Sequence, residues 1–319
     1  MDIRQLRYFV NIVECGSLSA AARKLHVAQP ALSQQLARLE AEVGVPLLNR
    51  SSKGVTPTEN GSALYRHGHF MLRQFDQSLE IARGKTGSIS GVVTVGLPAT
   101  TVAAIGLPLM RCVRERYPEI LFKVVEGMSG HVAQMMQRGQ LDIAVLFSSD
   151  EAADMQVEPL MTEELFLILS ADSELVPPGR DSVSLDEVSR IPLVLPTRDH
   201  GLRQRIDAAF ENRNLATRVV AQVDSLSLVM DCVDAGMGGT IKPMGAIMRE
   251  SAGGRPFRHL SFQEIDLSRR NYLYSRPPDQ MRPASLAVHA EIRASVHALI
   301  SDGDWPGFSL VEEADSGSS

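Results

Sequence analysis

The residues best placed to do chemistry are short polar side chains at the start of a helix predicted at about residues 29–43. Leucines recurring at helical spacing mark its buried face: Leu32, Leu36 and Leu39. The outward face is left with Gln29, Pro30, Ser33 and Gln34. Amides and hydroxyls of this kind hydrogen-bond to base edges in the DNA major groove, and a glutamine amide can pair bidentately with adenine. We therefore predict that Gln29 and Gln34 read bases.

A shorter helix at about residues 18–25 precedes it, and a turn at residues 26–28 separates the two. Ala21 and Ala22 are small enough to let the second helix cross the first closely, as a helix-turn-helix requires. A basic segment with turn residues follows at 50–54 and resembles a wing laid along DNA phosphates. The competing interpretation is a helical hairpin in an ordinary core. The outward amides and the adjoining basic segment favour a DNA-binding helix-turn-helix at residues 18–37.

A long helix is predicted from Thr58, its cap, to about residue 83. Apolar or small residues recur along it in one narrow seam: Leu64, Gly68, Met71, Phe75, Leu79 and Ala82. We expect the DNA-binding module to be unable to bury this seam. Pairing with the same helix of a second subunit is then the natural arrangement, and packing onto the chain's own body is the alternative.

From residue 90 onward the pattern alternates between strands and helices, which is typical of a largely parallel sheet covered by helices. Strands are predicted at 92–96, 121–126, 141–147, 165–169, 193–195, 219–223, 240–241 and 271–276, and helices at 102–117, 131–138, 202–212, 226–235 and 284–300. This α/β stretch is long enough for two open sheets joined by crossing strands. The last residues, 302–319, carry five acidic residues and no basic one, so we predict a flexible tail.

Ligands of open α/β sheets bind beyond the carboxyl ends of the strands. The candidates there are Thr100, Thr101, Ser129, Thr197, Arg198 and Asp224. Hydroxyls beside helix N-termini suit a small organic anion such as a carboxylate. Thr100, Ser129 and Ser225 fit the role of helix N-caps equally well, and a surface salt bridge is the competing explanation for Arg198.

Composition sets limits on the function. The net charge of −6 hides a basic head, because residues 1–90 hold eleven Lys and Arg against seven Asp and Glu. A basic head on an acidic body fits a DNA-binding domain with attached machinery.

The charge-free run at 86–110 contains several Gly and Pro, so we predict no membrane helix. The N-terminus has no cationic start followed by an apolar run, so we expect a cytoplasmic protein rather than a transporter's solute-binding module.

Catalytic and metal motifs are not found in the sequence. It contains no nucleophile elbow or phosphate loop. Cys15, Cys112 and Cys232 share no metal-binding spacing. We therefore predict neither an enzyme nor a cofactor.

Residues 1–60 resemble the winged helix-turn-helix of the LysR-type transcriptional regulators, through the run LRYFVNIVECGSLSAAARKLHVAQPALSQQLARLEAEVGVPLLNR and the later TPTENG. The stretches GQLDIA at 139–144 and GMGG at 236–239 extend the resemblance over all but the acidic tail. Within the family, the chain is most similar to the nitrogen-assimilation-control subgroup, through AQPALSQQLARLE, KGVTPT and DSLSLVMDCVDAGMGGTIKP. One departure is Lys242, which stands where relatives more often have an apolar residue.

The resemblance implies a winged helix-turn-helix at 1–58, a linker and dimerisation helix at 59–89, and a regulatory domain at 90–301 similar to periplasmic binding proteins. Its subdomains would be about 91–161 with 268–301, and about 162–267. The residues approaching bases would be Ala28, Gln29, Pro30, Ser33 and Gln34, while Arg50 and Lys53 would serve the wing and the DNA backbone. The implied partners are promoter DNA, further copies of the chain in a dimer of dimers, and RNA polymerase.

The family also implies a small-molecule effector in the cleft between the subdomains. Some members of the subgroup are thought to work without one. The alternative for this chain is therefore an effector-independent regulator controlled by its own abundance.

Overall fold

The structure is a computed structural model that describes residues 1–51, 54–82, 89–149, 155–252, 254–263, 265–303 and 305–311. Contacts divide the chain into two compact units. The first comprises residues 1–88 with 135–140, and the second comprises residues 89–134 with 141–319. None of the helices among these described residues is long and apolar enough to cross a membrane.

Three helices open the first unit: α1 (Ile3–Cys15), α2 (Leu18–Lys24) and α3 (Gln29–Val43). Gly16 ends α1 at φ 60°, a left-handed conformation that glycine adopts without strain. The hydroxyl of Ser17 caps α2 by accepting from the amide of Ala20. The two helices and the turn predicted for a helix-turn-helix are therefore present.

One apolar cluster holds these helices together. Its buried members include Phe9, Val10, Ile12, Ala21, Ala22, Leu32, Leu36, Leu39 and Val55. The leucines of α3 are the ones that the sequence pattern assigned to its buried face. Their burial fixes which side of α3 is left exposed.

A two-stranded antiparallel ribbon, β1 (Leu48–Ser51) and β2 (Gly54–Pro57), forms the predicted wing. The amide of Val55 donates to the carbonyl of Gly16 over 2.8 Å and ties the ribbon to the end of α1. A Cβ atom on Gly54 would lie 2.6 Å from that carbonyl oxygen, and the φ of Gly54 is 126°. The close approach and the backbone conformation both require glycine there.

Helix α4 (Glu59–Ala82) begins after Thr58, whose hydroxyl accepts from the amide of Gly61. The expectation that the module could not bury the apolar seam of this helix is wrong for its first half. A Cβ atom on Gly68 would lie 2.9 Å from Leu6, because α1 presents an apolar face to this part of α4. Towards the end of the helix, Phe75 and Leu79 are exposed.

The second unit begins with β3 (Gly91–Leu97), α5 (Ala99–Arg116), β4 (Ile120–Glu126), α6 (Ser129–Gln137) and β5 (Ile143–Leu146). It continues with β6 (Gln156–Ser170), β7 (Ser182–Val183), α7 (Leu185–Arg190), β8 (Leu193–Leu195), α8 (Gly201–Glu211), β9 (Val219–Gln222) and α9 (Leu226–Asp234). The remaining elements are β10 (Thr240–Pro243), α10 (Gly245–Ala252), β11 (Phe257–Phe262), β12 (Ser268–Ser275), α11 (Pro283–Ser301) and β13 (Phe308–Leu310).

The long strand β6 joins two halves of this unit. The main sheet has the order β4-β3-β5-β12-β6-β11-β7, and β10 and β13 also pair with β6. The first part of β6 pairs with β12, and residues 165–170 pair with β10 and β11. Alternate residues of that second part enter two different apolar cores, with Ile168 in one and Leu167 in the other. The sequence predicts two open, largely parallel sheets joined by crossing strands, whereas β6 runs through one continuous sheet. That sheet is mixed, because β10, β11, β12 and β13 all pair antiparallel with β6.

Strand β6 was predicted only at residues 165–169, yet it starts at Gln156. Charged residues and Pro159 mask the strand pattern in its first part. The register between β6 and β12 shifts next to this proline, where a strand tolerates a residue without an N–H donor.

The predicted flexible tail is wrong for residues 305–311. Strand β13 pairs antiparallel with β6, and Trp305 is only 4% exposed. Its ring packs against Phe308, with 4.9 Å between the ring centroids. Two aromatic side chains in an otherwise acidic and small-residue stretch are enough to anchor it to the core. Residues 312–319 lie outside the described part of the chain.

Candidate DNA-binding surface and ligand cavity

The exposed face of α3 carries the residues predicted to approach bases. Ala28, Gln29, Pro30 and Gln34 are exposed, and Ser33 is half-buried. The opposite face is locked into the core by Leu32, Leu36 and Leu39, so the helix cannot rotate without exposing these leucines. The result is a polar surface of two glutamine amides and a hydroxyl on a rigid helix, which is the chemistry that major-groove reading needs.

The wing supplies a basic side chain. Arg50 is exposed on β1, directly opposite Val55 of β2. Val55 is buried and anchors the ribbon, so the backbone that carries Arg50 is fixed. Lys53, the second basic residue predicted for the wing, lies outside the described residues.

A charged cluster links α1, α2 and α4 in the same unit. The carboxylate of Glu14 contacts the ammonium of Lys24 at 2.7 Å and the imidazole Nε2 of His69 at 3.2 Å. The contacts with His69 and with Lys24 lower the pKa of Glu14 to about 2, against the opposing effect of burial. No local sequence pattern identifies this cluster, because its three members lie on three separate helices.

The second unit contains a cavity of about 640 Å³. The loops that follow β3, β4 and β5, together with the starts of α8 and α9 and residues of β10 and β12, line its wall. Its polar lining residues include Thr100, Ser129, His200, Asp224, Lys242 and Arg269. Its position beyond the carboxyl ends of parallel strands is where the sequence predicts a ligand.

The residues predicted to bind an effector separate into two groups. Thr100, Ser129 and Asp224 line the cavity, whereas Thr101, Thr197 and Arg198 are not among its described lining residues. Thr101 is buried in α5, and Arg198 is exposed. The carboxylate of Asp224 already has a partner, because the hydroxyl of Thr197 donates a hydrogen bond to one of its oxygens over 3.0 Å.

Three hydroxyl residues, Thr100, Ser129 and Ser225, are predicted from the sequence to be either ligand contacts or helix N-caps. The structure shows a capping hydrogen bond for Ser225. Ser225 caps α9 by accepting from the amide of Leu228. The N-cap of α5 is Pro98, so Thr100 is not a cap and its hydroxyl serves another purpose. Ser129 is the first residue of α6.

Arg269 is the buried centre of the cavity wall. It is 4% exposed, and its Nε donates to the carboxylate of Glu163, which is 1% exposed. Its Nη2 donates to the hydroxyl of Thr100 at 3.2 Å, and its guanidinium lies 3.5 Å from the ring centroid of Phe147. Burial raises the pKa of Glu163, and the ion pair with Arg269 opposes that effect.

Lys242 adds a second buried cation to the wall. It is 5% exposed on β10, and burial together with the nearby Arg269 lowers its pKa to about 8. His200 caps α8 by accepting from the amide of Leu202, and burial lowers its pKa to about 4, so it stays neutral near pH 7. The buried charges of the wall are therefore the cations of Lys242 and Arg269 against the carboxylate of Glu163.

In the sequence, Lys242 stands out only as a departure from relatives, and no pattern marks Glu163 or Arg269. Arg269 lies 106 residues from Glu163 and 169 residues from Thr100, so no local pattern joins them. Among the described residues, no group of His, Cys, Asp and Glu is arranged to hold a metal ion.

Two family models match the chain. The bacterial regulatory helix-turn-helix protein model of the lysR family matches residues 3–62, and the LysR substrate binding domain model matches residues 86–296. The nitrogen assimilation regulatory protein nac of Klebsiella aerogenes is 38% identical over 247 residues, which cover 77% of this chain and 79% of that protein.

Solved structures agree with this fold. A mutant of OxyR from Corynebacterium glutamicum is 29% identical, with a TM-score of 0.58 and coverage of 95% of this chain and 96% of that one. ArgP from Mycobacterium tuberculosis matches with a TM-score of 0.72 at 23% identity, covering 93% and 97% of the two chains, and so shares the fold.

Proposed function

Because the chain belongs to the LysR family of bacterial DNA-binding transcription regulators, we propose that it reads promoter DNA through the exposed face of α3. The observation that carries this assignment is the burial of the α3 leucines, which leaves Gln29 and Gln34 exposed and Ser33 half-buried. Arg50 holds the wing to the phosphate backbone, and Lys53 is assigned the same role from the sequence alone. Phosphate contacts set affinity, and base contacts set specificity.

The test of DNA reading uses the full-length protein and a duplex enriched from random or genomic DNA by repeated selection. Fluorescence anisotropy then compares this duplex with a scrambled one of equal length and composition. Tighter binding to the selected duplex at physiological salt supports the assignment. Equal affinity for both at every salt concentration would overturn it.

The cavity of the second unit is the effector site in this proposal, and its ligand is a small organic anion. The support comes from charge: Lys242 and Arg269 are buried with Glu163 as their described buried counter-charge. An anion bound in the cavity neutralises the excess positive charge. Its attraction to the two cations offsets part of the free energy that they lose when burial removes their hydration. Ligand binding there is proposed to alter how the protein engages its promoter.

A thermal-shift screen of the full-length protein against organic acids and aromatic anions tests the effector. A ligand present at about 100 times its dissociation constant stabilises the folded state by about 2.7 kcal/mol. A hit that weakens when Ser129 is replaced by Ala supports the cavity as its site. Folded protein that responds to none of the acids would favour the alternative, a regulator controlled by its own abundance.

Self-association is proposed to occur through the end of α4, where Phe75 and Leu79 are exposed at helical spacing. Dimers formed there would pair again into tetramers and present two DNA-binding units to one promoter. Sedimentation of the Leu79→Asp variant tests this, and an unchanged oligomer would contradict it.

RNA polymerase is the further proposed partner, and the cytoplasm, where promoter DNA lies, is the proposed location. We assign the chain no catalytic turnover.

A further inference from the structure

Lys242 is a nearly buried amine on the cavity wall, where Asp224 and Glu163 attract its charge without forming an ion pair with it. Among the described residues, none makes a hydrogen bond or an ion pair with its side-chain nitrogen. The buried carboxylate of Glu163 is engaged by Arg269, and Asp224 is exposed and bonded to Thr197. Because the side chain is nearly buried yet lines the cavity, an anion bound there would stabilise its charge.

The surroundings of Lys242 increase the fraction of its amine that is neutral and nucleophilic. Desolvation acts first and the positive charge of Arg269 second, and together they lower the pKa of the amine to about 8. A sizeable fraction of the amine is then unprotonated near neutral pH. A desolvated lysine beside another cation is the arrangement that activates an amine toward carbonyl carbon.

Arg269 complements this amine on the same wall. Its Nε and Nη2 are committed to Glu163 and Thr100, while the described residues offer no acceptor to Nη1. A guanidinium N–H pair suits a carboxylate. A ligand that places a carboxylate near Arg269 and a ketone on the next carbon near Lys242 uses both groups at once.

We propose that Lys242 captures a 2-oxo acid in the cavity as a reversible imine, so that this chain senses its effector covalently. The proposal rests on the assignment of the cavity as an anion-binding effector site, and it names the chemical class of the ligand. The 2-hydroxy acid with the same carbon skeleton lacks the ketone, so it can bind there but cannot form the imine.

The step needs no oxidant or reductant. The amine nitrogen forms a bond to the ketone carbon while the carbonyl π bond breaks and its oxygen takes up a proton. The resulting carbinolamine then loses that oxygen as water, and a carbon–nitrogen double bond forms. One amine and one ketone give one imine and one water, and hydrolysis returns both. Protonation of the imine keeps the positive charge beside the ligand carboxylate.

The experiment traps the imine on the full-length protein. Protein is incubated with pyruvate, 2-oxoglutarate or phenylpyruvate and sodium cyanoborohydride, which reduces imines to stable secondary amines. Peptide mapping by mass spectrometry then locates any mass increase equal to the acid less one oxygen atom. We expect trapping at Lys242 to exceed that at exposed Lys123 by roughly tenfold or more, because each unit of pKa lowering is a tenfold change in the amine fraction.

Three controls separate covalent capture from charge alone. The Lys123→Met variant should label at Lys242 as the parent protein does. The Lys242→Met variant should lose the specific label, and it replaces the buried cation by an unbranched apolar chain of similar length. The Lys242→Arg variant keeps the charge but cannot form the imine, so it should still be stabilised by the acids in a thermal-shift assay without being labelled.

Each outcome has a defined meaning. Labelling at Lys242 by one 2-oxo acid, but not by its 2-hydroxy counterpart, supports the proposal. Equal labelling of all lysines would overturn it. Equal thermal shifts with oxo and hydroxy acids and no trapped product would overturn covalent capture and leave the anion site standing. If no acid shifts or labels the folded protein, both the covalent proposal and the effector assignment fall.

Discussion

The Nη2 of Arg269 donates a hydrogen bond to Oγ1 of Thr100 over 3.2 Å, which joins β12 to the first turn of α5. The same guanidinium contacts Glu163 and covers the ring of Phe147. The hydroxyl that the sequence offered as a ligand contact or a helix cap therefore holds a buried cation in place. Thr100 is in this view a positioning residue, which acts on a ligand through Arg269.

The Thr100→Val variant removes this acceptor at nearly constant volume. We expect the free energy of unfolding to fall by about 1–3 kcal/mol, because a buried guanidinium N–H loses its partner. Thr101→Val is the matched control, since the buried hydroxyl of Thr101 has no hydrogen-bond partner among the described residues. Urea denaturation measures both. Equal losses for the two variants would show that the bond to Arg269 contributes nothing.

The Glu163→Gln variant tests the charge balance of the cavity wall. Arg269 and Lys242 then lack their buried counter-charge, and we expect a loss of about 3–5 kcal/mol in the free energy of unfolding. Adding Lys242→Met should recover part of that loss, because one of the two like charges is removed. Denaturation of the single and double variants measures the coupling. A double variant no more stable than Glu163→Gln alone would contradict this account of the wall.

The Glu14→Gln variant should change how stability depends on pH. Contacts with His69 and Lys24 lower the pKa of Glu14 from 4.5 to about 2 in the folded state. Its stabilisation is therefore fully present above the ordinary value and is lost as pH falls from about 4.5 towards 2. Allowing for solvent screening, we expect the variant to be less stable by roughly 1–2 kcal/mol at neutral pH. Denaturation at pH 7 and pH 3 measures the difference, which must shrink on acidification.

The C-terminal strand should be part of the core in solution. We expect Trp305→Ala to lower the free energy of unfolding by about 3–5 kcal/mol, because the ring is buried against Phe308. Leu107→Ala on an exposed face of α5 is the control and should stay within about 0.5 kcal/mol. Trp305 is the single tryptophan of the chain, so unfolding of both variants is followed by far-UV circular dichroism rather than by tryptophan fluorescence. If Trp305→Ala leaves the free energy of unfolding unchanged, residues 305–311 do not contribute to the core and behave as the predicted flexible tail.

Local periodicity accounts for what the sequence predicts well. The helices of the first unit and the alternating strands of the second follow from residue spacing and cap residues, as in the leucines of α3 and the Thr58 cap of α4. The family resemblance then supplies the helix-turn-helix, its wing and the two-subdomain body. These features depend on neighbours within a few positions along the chain, and such information is present in one sequence.

Long-range pairing accounts for what the sequence does not predict. The residues of β13 have the composition of a polar tail, and they form a strand because β6 pairs with them. Similarly, nothing near Arg269 in the chain identifies Glu163 or Thr100 as its contacts. The first half of the α4 seam is covered by α1, which spacing along α4 cannot reveal. Each of these outcomes depends on which distant elements the fold brings together.

The division of roles on the DNA-binding unit is tested by comparing Gln34→Ala with Arg50→Ala. Loss of a bidentate amide contact should cost about 1–3 kcal/mol on the selected duplex and little on a scrambled one. Loss of a phosphate contact should weaken binding to both duplexes and reduce the salt slope by about 1. Gln134→Ala and Arg114→Ala, both at exposed positions of the second unit, are the matched controls. Anisotropy titrations at several salt concentrations measure all four, and equal losses on both duplexes for Gln34→Ala would remove it from the base-reading set.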